Sequence, residues 1–292
     1  MSGCFECRPM PEAQRIVGMM AGNGLYPETF AAQARGQGVR LVAAAFRNET
    51  HEDLAEKVDV LRWFRVGQLT KMIRFFQGEG VREAVMVGQI APSNLFALRP
   101  DLRLVALLAR LKERNAETLF GAIGEELERE GITLLPATTF LEDCLAPAGP
   151  ICGPKLDAAG LEQAAYGVRI AKELSRLDVG QSVVVREGTV LAAEAFEGTD
   201  ACIRRGGELG KGKRVLLAKV SKPNQDLRFD VPVVGPQTVR SCREARVSAI
   251  VVEAGKTLLL GREEVARLCR EAKIALHGWE GEAPAQGAEA GS

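Results

Sequence analysis

Across 292 residues, 46% of them apolar and 26% charged, the chain has the make-up of a folded globular protein with room for two domains of ordinary size. Its 38 basic residues balance 38 acidic ones, so no global field draws it onto nucleic acid, and any site for a polyanion has to be local. The longest purely apolar runs, Leu41 to Phe46 and Leu104 to Ala109, are far shorter than the roughly 20 residues of a membrane-spanning helix.

Residues 1–14 read as a disordered extension. They hold Cys4 and Cys7, a Cys-x-x-Cys with no second pair at zinc-site spacing, so a plain tail is favoured over a metal or redox site. No charged segment followed by an apolar run marks a secretory signal, and a cytoplasmic location is expected. Residues 15–145 are expected to form an N-terminal Rossmann-like domain. A strand at Arg15 to Met20, a glycine-rich turn at 21–24, a helix from about Pro27 to Gln37 and a strand at Val39 to Phe46 make a parallel βαβ unit. A helix at Gly67 to Glu79, a strand at Glu83 to Val87, one long helical stretch from Leu102 to Glu130 and a strand at Thr133 to Ala137 follow.

Residues 146–160 carry three prolines and three glycines and read as a linker. The C-terminal domain, 161–279, is expected to be a mixed-sheet α/β catalytic unit. A helix at Leu161 to Leu177 opens it, and Ser182 to Arg186 and Thr189 to Phe196 flank Glu187-Gly188 as a hairpin. Strands at Val215 to Val220 and Ser248 to Glu253 come next, with Lys256 to Leu260 pairing back on the latter through Ala254-Gly255. Helices at Gln237 to Ala245 and Arg262 to Lys273 alternate with them. Residues 280–292 have almost nothing to bury and read as a disordered tail.

Chemistry-bearing residues gather in the second half. Glu194, Glu197, Thr199 and Asp200 end the hairpin, and Lys219, Lys222, Gln225, Asp226 and Asp230 follow the next strand. Carboxylates at strand ends can hold a divalent cation, and lysines there can hold phosphate oxygens. Asp200 serving only as a helix cap and the lysines serving only as surface charge are the bland alternatives. Two histidines leave no room for a Ser-His-Asp system or a histidine-rich dimetal site, so phosphoryl chemistry would run on carboxylates. In the first half, Asn23 and Gly24 stand in a turn that can offer backbone N–H groups to an anion, although the glycine spacing departs from the dinucleotide fingerprint. Leu104, Leu107, Leu108 and Leu111 share a helical face that is either core or, with Arg99, Arg103 and Arg110 near, an acyl-chain wall or membrane-surface contact.

Ile16 to Pro27, Arg176-Leu177-Asp178-Val179-Gly180-Gln181, Glu197-Gly198-Thr199-Asp200-Ala201, Lys222-Pro223-Asn224-Gln225 and Asp230-Val231-Pro232, in this order, resemble the LpxI family of UDP-2,3-diacylglucosamine pyrophosphatases over about residues 15 to 279. The resemblance implies a hydrolase that cleaves the pyrophosphate of UDP-2,3-diacylglucosamine into UMP and 2,3-diacylglucosamine 1-phosphate (lipid X) in lipid A biosynthesis. It further implies Mg²⁺ dependence, with Mn²⁺ as a substitute, a homodimer, and a lipid held between two domains by a protein that touches the membrane surface transiently from the cytoplasmic side. The family's essential aspartate matches Asp230. On this reading Asp230, Glu197 and Asp200 are catalytic and metal-binding, while Lys219, Lys222 and Arg204 offset phosphoryl charge. Gln181, Thr199 and Gln225 bind sugar or phosphate. Leu104, Leu107, Leu108 and Leu111 wall the acyl chains. The competing class is a non-catalytic nucleotide-binding regulatory module; a nicotinamide dehydrogenase is disfavoured by the absent fingerprint.

Overall fold

The computed structural model describes residues 14–90, 100–112, 116–211, 214–223 and 225–281. Cys4, Cys7, Arg99, Asn224 and the expected tail beyond residue 281 lie outside them. The chain builds two sheets. In the first half, β1 (Ile16–Ala21), α1 (Tyr26–Gly36), β2 (Arg40–Phe46), β3 (Val60–Phe64), α2 (Leu69–Gly78), β4 (Glu83–Val87), α3 (Leu102–Leu108), α4 (Ala116–Arg129) and β5 (Thr133–Leu134) follow one another. All five strands are parallel, in the order β3-β2-β1-β4-β5. The central strands are buried nearly end to end, as a parallel sheet covered on both faces requires. Strand order reverses between β1 and β4, and crevices in open α/β sheets form at the carboxyl ends of such a pair.

Two features here differ from the sequence expectation. β3 is an edge strand whose exposed Arg62 interrupts the apolar run, and the sequence reading passes over it. The single helix expected from Leu102 to Glu130 is two helices, because the chain turns at Ala109 and Arg110. Asp101 caps α3 through the Leu104 N–H at 3.0 Å and also accepts the Thr70 N–H of α2 at 2.7 Å, which fixes the two helices together.

In the second half, β6 (Gly149–Cys152), α5 (Ala158–Arg176), β7 (Ser182–Arg186), β8 (Thr189–Ala193), α6 (Thr199–Gly210), β9 (Leu216–Lys219), β10 (Val233–Val234), α7 (Pro236–Glu244), β11 (Ala249–Glu253), β12 (Leu258–Leu259), α8 (Arg262–Ala272) and β13 (Ala275–Trp279) follow. Six strands make a mixed sheet in the order β6-β13-β11-β9-β7-β8, parallel through β13, β11 and β9 and antiparallel at both margins. The α/β class with a parallel first sheet and a mixed second one agrees with the sequence reading.

The expected linker is corrected in part, since 149–152 form β6 on the sheet edge. An edge strand tolerates Pro150, whose missing N–H need not enter a ladder. The expected pairing of Lys256 to Leu260 with the preceding strand is also overturned. β12 pairs in parallel with β10, and this short ribbon stitches the halves together. Side chains alternate across it: Val233, Leu258 and Leu260 pack with Tyr26 and Phe30 of the first half, Val234 and Leu259 with Val239 and Val265 of the second. Among the described residues no helix is long and apolar enough to cross a membrane.

Candidate active site

Lys219 ends β9 and is 4% exposed, an expensive place for an ammonium unless it is paired. Its Nζ donates to Thr199 Oγ1 at 2.8 Å, and the Thr199 hydroxyl donates to Glu194 Oε1 at 2.7 Å. Strand β7 lies alongside, with Ser182 opposite Lys219 in register. Four polar atoms in this neighbourhood, Gln181 Oε1, Ser182 Oγ, Glu194 Oε2 and Gln225 Nε2, are buried without a hydrogen-bond partner. Buried polar groups are normally satisfied, so a polar ligand or water fits here. Thr199 also opens α6, whose N-cap Gly198 (φ +82°) brings no side chain to the first N–H groups and leaves that end suited to an anion.

Immediately beyond β9 the chain enters the loop that carries Lys222 and Asp230. Lys222 Nζ lies 2.5 Å from Asp178 Oδ1 and 3.5 Å from Asp230 Oδ2, so one cation sits between two carboxylates. Gln225 Oε1 accepts the Lys222 N–H at 3.1 Å and holds the turn. Glu253, at the end of β11 and 5% exposed, supports the assembly from below. Its Oε2 accepts the Ser221 N–H at 2.6 Å, the Ser221 hydroxyl at 2.7 Å and Lys172 Nζ at 2.7 Å. Burial pushes the Glu253 carboxyl up, but the bonds from Lys172 and Ser221 outweigh it and hold the group below its ordinary range.

The expected trio of metal-binding acids does not form. Glu197 turns to Arg205 at 2.5 Å, and its own backbone N–H, followed by Arg205, holds its carboxyl below the ordinary range despite some desolvation. Asp200 accepts the Ser241 hydroxyl at 2.8 Å and, with Arg204 one turn on, lines a groove between α6 and α7 that contains none of Lys219, Lys222 or Asp230. Among the described residues no three His, Cys, Asp or Glu side chains are grouped to hold a metal ion. The separation has a simple cause: Glu197 lies before the positive-φ cap Gly198 while Asp200 lies in the first turn of α6, so acids close in sequence point apart.

A second feature lies in the first half, where an apolar cavity of about 100 Å³ opens at the carboxyl ends of β1 and β4. Met20, Met72, Met86, Leu104, Phe120 and Phe229 supply much of its wall. Its rim carries Gly22 and Gly88, where a Cβ on Gly22 would lie 2.5 Å from Gln89 O, so the tight strand exit needs glycine there. Asn23 pairs with Gln89 backbone to backbone, and its Oδ1 accepts the Gly24 N–H at 2.6 Å, so these two residues stand beside the cavity as a formed turn. Of the expected acyl wall, Leu104 lines the cavity. Leu107 and Leu111 line a neighbouring groove with Arg103 and Arg110, and Leu108 packs at the margin of the core.

The two features meet through residues 226–230. Arg228 binds Asp226 at 2.7 Å and Glu128 of α4 at 3.1 Å, and Leu227 O accepts the Ala137 N–H at 2.7 Å. Arg228 holds the Asp226 carboxyl below its ordinary range. Asp178, Lys172, Glu253 and Phe229 are the members that sequence reasoning leaves out of its residue set. A charge ending the apolar run Ala249 to Val252 points to Glu253, and Asp178 stands in the motif Arg176 to Gln181.

Two joined α/β domains, one with an apolar chamber at its strand ends and the other with a buried lysine in a polar cluster at a strand end, define the class of the fold. The chain belongs to the LpxI family: the model of the LpxI N-terminal domain matches residues 16–144, and that of the LpxI C-terminal domain residues 147–277. A curated relative, the UDP-2,3-diacylglucosamine pyrophosphatase LpxI of Caulobacter vibrioides, is 30% identical over 263 residues, covering 86% of this chain and 92% of the relative. Among solved structures, the biotin carboxylase subunit of pyruvate carboxylase matches 63% of this chain and 39% of its own at 14% identity and a TM-score of 0.26. The biotin carboxylase domain of Hydrogenobacter thermophilus 2-oxoglutarate carboxylase matches 68% and 42% at 11% identity and the same TM-score of 0.26. Likeness at that level carries no argument about function.

Proposed function

We propose that the chain hydrolyses the pyrophosphate bond of UDP-2,3-diacylglucosamine, releasing UMP and 2,3-diacylglucosamine 1-phosphate for lipid A biosynthesis. The observation that carries this reading is the adjacency of two unlike sites, a polar crevice with Lys219, Lys222 and Asp230 and an apolar chamber reached through Phe229. A diphosphate suits the first and acyl chains suit the second. The activity is the one in the name of the Caulobacter vibrioides relative.

Water attacks one phosphorus, the bond from that phosphorus to the bridging oxygen breaks, and the departing phosphate takes the electron pair. Asp230 orients the water and accepts its proton. Lys222 already stands between Asp178 and Asp230, so it can take a phosphoryl oxygen while keeping a carboxylate partner. Lys219 and the α6 N-terminus face the other oxygens, and donors placed on developing charge contribute about 3 kcal/mol each. Mg²⁺, or Mn²⁺ in its place, is part of the proposal. With no cage of three acids among the described residues, Asp230 is the carboxylate that would hold it, the substrate's phosphates and water completing the shell. Bound there, the ion would neutralise phosphate charge.

A transient membrane contact and a homodimer belong to the same reading. Leu102 is 89% exposed and Val105 is also exposed one turn along α3, which gives the first half an apolar spot suited to a lipid surface. The test is UMP release from UDP-2,3-diacylglucosamine by the purified full-length chain. Release in Mg²⁺ that stops in EDTA is the expected result. Tight binding of the nucleotide lipid with no UMP in either metal would instead mark a regulatory binding module.

A further inference from the structure

We infer that Phe229 is a positioning residue through which an acyl chain in the apolar chamber sets the place of Asp230, so that the lipid raises turnover as well as affinity. The inference rests on the proposed function. Phe229 forms part of the chamber wall, its ring centroid 5.9 Å from that of Phe120 on α4, and the next residue in the chain is Asp230. Both Phe229 and Asp230 donate their N–H groups to Asp226 O, at 3.2 and 3.1 Å, so they belong to one tight turn.

The start of that turn is clamped. Arg228 is held by Asp226 and Glu128, and Leu227 O by the Ala137 N–H. A push on the Phe229 ring is therefore passed forward to Asp230 instead of being absorbed behind it. The chamber is narrow at its inner end. Its volume of about 100 Å³ is below the roughly 150 Å³ that accommodates benzene in an engineered cavity, so an acyl chain entering from the open mouth bears on the wall there. Phe229 is the wall residue carried by the loop that reaches the polar crevice, whereas Met72, Met86 and Leu104 are fixed in α2, β4 and α3. On the other side of the turn, Asp230 Oδ2 lies 3.5 Å from Lys222 Nζ, a separation that a small shift can close or open. Energy from burying hydrocarbon is then used at the reacting centre, and a substrate stripped of its chains loses kcat rather than affinity alone.

The experiment is steady-state kinetics in Mg²⁺ on the wild type and the Phe229→Ala, Phe229→Leu and Met72→Ala variants, with UDP-2,3-diacylglucosamine and UDP-glucosamine as substrates and melting temperatures alongside. The wild type should turn over the diacylated substrate with a kcat about a hundredfold above the deacylated one, since remote binding energy acts on the chemical step. Phe229→Ala should shrink that ratio by about tenfold or more, Phe229→Leu should recover part of it, and Met72→Ala should act mainly on KM. Equal kcat for the two substrates overturns the inference, as does a Phe229→Ala effect confined to KM. If the alanine variant fails to fold, the wild-type and Phe229→Leu ratios decide. Absence of UMP from the diacylated substrate with wild-type protein defeats the proposed function itself, whereas UMP release with a ratio of one defeats only the coupling.

Discussion

At the carboxyl ends of β1 and β4 the chain places Met20, Met86 and the glycines at 22 and 88; at the carboxyl end of β9 it places Lys219, Ser221 and Lys222. Both are positions where α/β sheets present their crevices. One site is lined with hydrocarbon and sulfur, the other holds a lysine that donates to a threonine whose hydroxyl donates in turn to a glutamate, and residues 226–230 join them. The fold supplies the location, and the side chains decide the chemistry. The contrast has an energetic side. The apolar side chains around the chamber stabilise the chain where they are buried, while every charged group in the polar cluster is costly unless its partners are in place.

Substitutions on the two sides should therefore fail in different ways. Asp230→Ala is expected to lower kcat about a thousandfold, roughly 4 kcal/mol of transition-state stabilisation, with the melting temperature almost unmoved. Single-turnover hydrolysis beside thermal melts checks this; a well-folded variant that keeps its turnover would remove Asp230 from the chemistry. Lys219→Met should cost about a hundredfold in kcat, the scale of one lost donor to developing charge. The replacement leaves buried Glu194 and Thr199 without the lysine, so the same melts should show some loss of stability and kcat is read per folded molecule. On the other side, Leu104→Ala should raise KM for the diacylated substrate about tenfold, because a buried leucine is worth some 1.5–3 kcal/mol of apolar contact. KM for a deacylated analogue should barely respond, and equal effects on both would make Leu104 plain core.

The smallest effect concerns pH. Glu253 sits below its ordinary 4.5 in the folded protein, so its contribution to stability is present above that value and lost as pH falls through the lower folded value. Denaturant melts between pH 6 and pH 3 should show the wild type losing stability on acidification more steeply than Glu253→Gln. Parallel slopes would mean that the Ser221 and Lys172 bonds do not favour the ionised form.

How far the sequence carries can be judged residue by residue. Lys219 is legible because it stands where the apolar run 215–218 stops, and structure brings it into direct contact with Thr199. Leu104 is legible from helical spacing, yet spacing cannot separate the chamber from the groove that takes Leu107 and Leu111. Glu197 and Asp200 look like partners of Asp230 until the start of α6 turns them toward Arg205 and Ser241. Lys172 is 81 positions from Glu253, and no local pattern announces a bond over that distance. Phe229 reads as one aromatic in a turn, since its meaning depends on α4 being packed opposite. In the fold, β6 was hidden by prolines that an edge strand tolerates, and β12 by the assumption that neighbouring runs pair in a hairpin.

The division between the two crevices is open to one direct measurement. UDP-2,3-diacylglucosamine carrying a photoreactive group near the end of an acyl chain can be bound to the Asp230→Ala protein, illuminated, and the crosslinked peptides mapped by mass spectrometry. Label on the segments that carry Met72, Met86, Leu104 and Phe120 is the predicted result. Label confined to the second half of the chain, around Lys219 and Thr199, would contradict it and leave the apolar chamber as nothing more than core.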